Sequence, residues 1–256
     1  RDQPRSRGLG DVYKRQLYSQ SFDAGILLCA MSNNNSLAVV TESGRYAAQV
    51  QVFDPSLHLL YSWEMTQSAG TPIALDFSPD SRRFAAGMLS AREGQLSCSV
   101  YFMSMDANAE GPVYTADQGS MLLRLDWQSE RRVMAVFDTY LAVLDPTTGT
   151  ETARYDYGGA ALQSVAPGRR QTALLLTVRG GNNLVTLSET LTPMAEIPAR
   201  QAFGVSATDT DIYLLCPDAV ECYGYDGVQN WVYSDLASRP LAVVNAAKPL
   251  LLTGSR

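Results

Sequence analysis

The chain has one imidazole, His58. A Ser-His-Asp triad would therefore have no other base, and a multi-histidine metal site is excluded by composition. The setting Pro55-Ser56-Leu57-His58 reads as a hairpin turn on an outer rim, which makes His58 a solvated turn residue rather than a catalytic base. Past Lys14 the one lysine is Lys248, beside Pro249 in another turn, so Schiff-base chemistry and phosphate-cradling loops lack their cation. The four cysteines, Cys29, Cys98, Cys216 and Cys222, show no Cys-x-x-Cys spacing, and three of them fall in apolar strands as small buried hydrophobes. Cys216 and Cys222 flank Pro217-Asp218-Ala219 and could approach across a hairpin, so the sequence leaves a disulfide between them open.

Paired carboxylates are the remaining option, because two suitably spaced acids can cleave a glycosidic bond. Asp76 and Asp126 recur at equivalent places in the repeat described below. They read either as such a pair or as acceptors for nearby turn amides, and the usual satisfaction of half-buried acids favours the second. Asp209, Asp211 and Asp218 read as solvated turn acids. No residue is assigned to catalysis, to a cofactor or to a metal, no cofactor is implied, and the ligand-binding residues stay unassigned.

The elements that would carry these residues repeat. An apolar strand, a polar turn and a second apolar strand recur at Ile26 to Ala30 with Leu37 to Thr41, Ile73 to Phe77 with Arg83 to Gly87, and Leu122 to Trp127 with Val133 to Phe137. Further copies are Leu162 to Val165 with Thr172 to Val178, Ala202 to Val205 with Ile212 to Cys216, and Leu241 to Val244 with Pro249 to Thr253. Between them lies a second hairpin type, with an acid or turn residue followed by an aromatic: Asp54-Pro55 leading to Trp63, Asp145-Pro146-Thr147-Thr148-Gly149 leading to Tyr155, and Asp226-Gly227 leading to Trp231. Successive units are spaced by about 40 residues, the period of a four-stranded propeller blade.

The fold class is therefore all-β, an incomplete β-propeller. About five to six blades are visible, out of seven or eight in a complete ring. Two tandem β-sandwiches are the rival, but a sandwich has no reason to alternate two hairpin signatures at near-constant period. The outer-strand aromatics Trp63 and Trp231 should pack between neighbouring blades.

Residues 1–16 differ from the rest, being basic and aperiodic. Asp11-Val12-Tyr13-Lys14-Arg15-Gln16 resembles a translated sequencing adapter, so residues 1–16 are set apart as adapter-derived or disordered. Residues 17–256 form the propeller domain, expected to be truncated at its N-terminus and open to truncation at its C-terminus. From Leu17 onward 15 basic residues face 24 acidic ones, a balance of −9, which argues against nucleic acid as a partner. No apolar run reaches the ~20 residues of a spanning helix. An unclosed ring would expose strand edges and associate readily.

The Asp-x-x-x-Gly-aromatic hairpins resemble quinoprotein-like propeller repeats, and Leu75-Asp76-Phe77-Ser78-Pro79-Asp80 resembles the inner hairpin of WD40-like blades. More narrowly, Ala38 to Gly44 with Trp63, the Ser-Pro-Asp hairpin and Ser97 to Phe102 are similar to a family of uncharacterised bacterial propellers, a domain of unknown function. Members of that family carry a short cytoplasmic tail, one membrane helix and an external propeller. The resemblance implies an extracytoplasmic, membrane-anchored protein of the cell envelope whose anchor precedes Leu17. The expected function is non-enzymatic binding or scaffolding, with a protein or glycan held on one propeller face and membrane contact only through that anchor. The alternative is a propeller enzyme, hydrolase-like or quinoprotein-like. A quinone site, however, needs an aromatic floor, a metal and axial charges, none of which is assigned.

Overall fold

The computed structural model describes residues 19–92, 94–106, 111–234, 236, 238–244 and 250–254. The segment 1–16, Leu17, Lys248 and Pro249 lie outside them. The described residues form five four-stranded antiparallel sheets and one two-stranded sheet. The first holds β1 (Ile26–Met31), β2 (Leu37–Thr41), β3 (Ala48–Phe53) and β4 (Leu59–Met65). The second holds β5 (Thr71–Phe77), β6 (Arg83–Arg92), β7 (Gln95–Ser104) and β8 (Val113–Thr115). The third holds β9 (Leu122–Ser129), β10 (Arg132–Phe137), β11 (Tyr140–Asp145) and β12 (Thr150–Asp156). The fourth holds β13 (Ala161–Ala166), β14 (Thr172–Val178), β15 (Gly181–Leu187) and β16 (Pro193–Pro198). The fifth holds β17 (Gly204–Ala207), β18 (Asp211–Leu215), β19 (Val220–Gly224) and β20 (Gln229–Tyr233), and the sixth only β21 (Pro240–Val244) and β22 (Leu250–Thr253). Strands are joined in chain order within every sheet, as in a propeller blade and not a sandwich.

The core is distributed over the joints between sheets. Ala38, Val50 and Met65 of the first sheet pack with Phe84 and Met88 of the second. Val100 and Phe102 pack with Trp127, Val133 and Phe137, and Met134 and Val136 with Leu174 and Leu176. Ala173 and Leu175 pack with Ile212 and Leu214, and Tyr213 and Cys222 with Val243 and Leu251. Strand alternation explains this division, because successive side chains point to opposite faces. On β10, Val133, Ala135 and Phe137 face the preceding sheet while Met134 and Val136 face the following one. Both faces are covered, so the strand is apolar from Val133 to Phe137, each large side chain contributing about 1.5–3 kcal/mol of burial. Among the described residues no apolar cluster joins the first sheet to the sixth, and the ring is open.

Local chemistry sets the turns. At Asp145-Pro146-Thr147-Thr148-Gly149 the carboxylate accepts the Thr147 amide at 2.8 Å and the Gly149 amide bonds the Asp145 carbonyl at 2.8 Å. Gly149 adopts φ +70°, a left-handed conformation that glycine takes without strain. At Gly87 a Cβ would lie 2.1 Å from Leu122 Cδ2, so the missing side chain lets the third sheet close on the second.

Three expectations need correction. The fifth sheet begins at Gly204 and not Ala202, because the Ala202 amide closes a turn on the Ala199 carbonyl at 3.0 Å. Asp211 is not a turn acid: it opens β18, half-buried, and accepts the Thr210 hydroxyl at 2.7 Å. Trp231 is 47% exposed, because among the described residues the sixth sheet packed against this side has two strands and neither reaches over the ring. The question left open at Cys216 and Cys222 is also answered. They belong to clusters on opposite faces of the fifth sheet and are free thiols.

Candidate functional site

In the first five sheets the end of the first strand and the turn that joins it to the second lie at one end of the stack. Inner turns of the first, second, fourth and fifth sheets, together with Asp126, Trp127 and Gln128 of β9 in the third, line a single open cavity of about 500 Å³. Its walls carry Ser32 and Asn33, Asp76 and Ser78, Asp126 and Gln128, Arg169, and Asp209. Each sits at or next to the end of an apolar inner strand, where the chain must reverse and polar side chains can satisfy turn amides.

Most of these groups hold the blades together. Asp76 Oδ2 accepts the backbone amide of Trp127, in the next sheet, at 2.6 Å, and Oδ1 accepts that of Phe77 at 3.0 Å. Burial pushes its carboxyl above the usual range, and the nearby Asp126 adds to this, while the two amides and Arg124 oppose it. Gln128, 5% exposed, donates to Asp126 at 3.2 Å and to the Gly168 carbonyl of the fourth sheet at 3.0 Å. The Ser32 and Ser78 hydroxyls close their own turns, accepting the Ser36 and Arg83 amides at 3.0 and 2.9 Å. Asn33 reaches the Pro79 carbonyl at 3.1 Å, and Ser81 accepts the Asn34 amide at 3.3 Å. Ser164 receives the Val205 amide at 3.2 Å, and Ser206 donates to the Val243 carbonyl at 3.1 Å. Every joint thus carries at least one side-chain clasp to the next sheet's backbone, each worth about 1 kcal/mol.

A larger latch lies at the outer side of the second joint. The Arg154 guanidinium sits 3.9 Å over the Tyr140 ring, chelates Glu151 at 2.8 Å through two nitrogens and pairs with Asp117. Tyr114 joins it, donating to Glu151 at 2.7 Å, and burial raises the Tyr114 phenol, with its bonds to Tyr140 and Glu151 adding to the shift.

The structure brings Asp76, Asp126 and Asp209 to one mouth and keeps the other candidates away from it. His58 lies on the rim turn between β3 and β4, its side chain 81% exposed and 3.2 Å from Asp54. Asp218 is exposed in the turn after β18. Cys29 is exposed on β1 and Cys98 is buried at the second joint. Burial pushes the Cys216 thiol up to about 11, which suits an inert core residue. Sequence reading missed Gln128 and Arg169 as members of the mouth, since nothing in the local sequence marks which turns converge.

A family profile described as a family of unknown function, DUF5711, matches residues 13–187. The chain belongs to this family. The match begins inside the segment 1–16 and ends at the last residue of β15. No curated protein matches the DUF5711 chain in sequence. Among solved structures it is similar to the Neurospora crassa Pan2 WD40 domain, at 11% identity and a TM-score of 0.56, with 86% of this chain covering 82% of that one. A eukaryotic initiation factor is 11% identical with a TM-score of 0.59; 82% of this chain is covered, and it spans about half, 55%, of that chain. These likenesses establish the WD40-like propeller fold of the DUF5711 chain and nothing about its chemistry.

Proposed function

We propose that this chain is a non-enzymatic binding propeller whose axial mouth holds a protein or glycan. One observation carries the reading: the inner ends of five successive sheets, four through their turns and the third through β9, converge on one open polar cavity, with their backbones fixed by inter-sheet clasps. A rigid scaffold presenting variable turns is a binding device. We place the domain outside the cytoplasm of a bacterium, anchored by a membrane helix upstream of Leu17. That placement rests on the resemblance of the repeat to membrane-anchored propellers. Affinity capture from envelope extracts, with wild type compared against a variant carrying Asn33→Ala and Asp209→Ala at the mouth, tests the reading. A partner retained by the first and lost by the second supports it, and identical capture by both counts against it.

One observation favours a second reading, hydrolysis on a carboxylate pair. Asp76 is held above the ordinary carboxylate range beside Asp126, the pattern of a general acid next to a second carboxylate. Against it, both Asp76 oxygens already accept backbone amides. Asp126→Asn would abolish glycoside hydrolysis if this reading held, and a wild-type chain inactive on a broad panel of glycosides would dismiss it.

A further inference from the structure

The charged groups around the mouth fall into two sets, those engaged by the fold and those left for a ligand. Asp76 is held by two amides and Asp126 by Gln128. Arg169 and Asp209 differ. They stand exposed on the neighbouring inner turns of the fourth and fifth sheets. Among the described residues neither side chain makes a hydrogen bond or an ion pair, and the Asp209 carboxylate acts on its surroundings by adding to the rise that burial gives the Tyr225 phenol. The mouth therefore offers one unpaired cation and one unpaired anion, on successive inner turns around a polar cavity.

The aromatic residues of the same cavity are not offered. Phe77 and Trp127 are each 5% exposed. The Trp127 indole N–H donates to the Ser129 carbonyl at 2.8 Å, Arg83 stands 5.2 Å over its ring, and Phe102 packs against its edge. A sugar ring is held in water largely by stacking its C–H face on an exposed aromatic face, and here the Phe77 and Trp127 rings are both buried. A polypeptide needs no such platform, because it brings charged side chains and backbone amides that Arg169, Asp209 and the surrounding turns can pair with.

We propose that the mouth recognises a polypeptide segment bearing one acidic and one basic side chain, engaged by Arg169 and Asp209 respectively, and not a glycan. This rests on the binding reading above and narrows it to one partner class. The test exposes the purified chain to a phage-displayed random peptide library and, separately, to an array of bacterial envelope glycans. Enriched peptides should carry both charges, and their affinity should fall about tenfold on Arg169→Glu and again on Asp209→Lys. Peptides with the matching charge reversed should recover binding to each variant. Both substitutions lie on exposed turns, so an unchanged melting temperature separates lost recognition from lost folding.

Glycan binding that is weakened by the same two substitutions would overturn the peptide assignment and leave the binding reading standing. Peptide binding indifferent to both reversals would overturn the roles of Arg169 and Asp209. Silence from both libraries would overturn the inference together with the reading it rests on.

Discussion

Trp63 and Trp231 hold matching places on the outermost strands of the first and fifth sheets, and their surroundings differ. Trp63 packs against Phe84 and Tyr101 of the next sheet, with ring centroids 6.5 and 5.7 Å away, inside the cluster that joins the two sheets. Trp231 meets Tyr213 of its own sheet at 6.0 Å, and every residue of β20 is exposed. With Val232, Tyr233, Val243 and Leu251 it lines an apolar groove where the outer half of a complete sixth sheet would sit. The residue type is the same, so the difference lies in the neighbour. An outer-strand aromatic is buried by the middle strands of the next blade, and blades gain stability pairwise, as stacked repeats do.

That contrast can be broken or sharpened by substitution. Trp63→Ala should cost about 2–4 kcal/mol in urea unfolding, the range for a large aromatic lost from a packed site; a loss near zero would show that the first joint is not packed as described. Arg154→Ala should cost about 1–2 kcal/mol, because it removes a cation over the Tyr140 ring and leaves Glu151 with the Tyr114 hydroxyl but without its cationic partner. Glu151 and Asp117 would then titrate nearer to ordinary carboxylates, since hydrogen bonding to Arg154 is the first cause holding both down.

The Asp76 clasp predicts a pH dependence confined to the second joint. Its carboxyl in the folded chain lies above the ordinary 3.8, so the folded state binds the proton more readily than the unfolded one. This contribution is fully present below 3.8 and is lost as the pH rises through the raised folded-state value. Between those limits wild-type stability should fall with rising pH more steeply than that of Asp76→Asn, as read from urea midpoints; parallel curves would contradict the assignment. The smallest effect is expected at Trp231→Ala, below about 1 kcal/mol, because its ring is half in solvent already.

Legibility followed the range of the interaction. β2 and β14 are bounded in the structure where continuous apolar residues place them, Leu37–Thr41 and Thr172–Val178, because burial on both faces leaves a signal within the strand itself. The Asp145 turn was equally readable, since its bonds stay within the turn. The clasp from Asp76 to Trp127 joins residues 51 positions apart, and no local pattern announces it. The latch of Tyr114, Tyr140 and Arg154 has the same character. For Cys216 and Cys222 the obstacle was parity: the intervening turn decides which face each side chain takes, and composition does not record that. The exposure of Trp231 was hidden because the sequence pattern of β20 is the one a buried outer strand would show. At the mouth, repeat position pointed to Asp76 and Asp126, but the unpaired Arg169 and Asp209 emerge only once the inner ends of five sheets are seen around one cavity.

The central claim is that wedge-like sheets stack in chain order and protect one another until the sequence of complete sheets stops. Amide hydrogen exchange followed by mass spectrometry, resolved strand by strand, tests it most directly. Exchange should be slow in β10, β11, β14 and β15, and fast in β20, β21 and β22. Protection of β20 equal to that of β11, or uniform exchange through all six sheets, would contradict it.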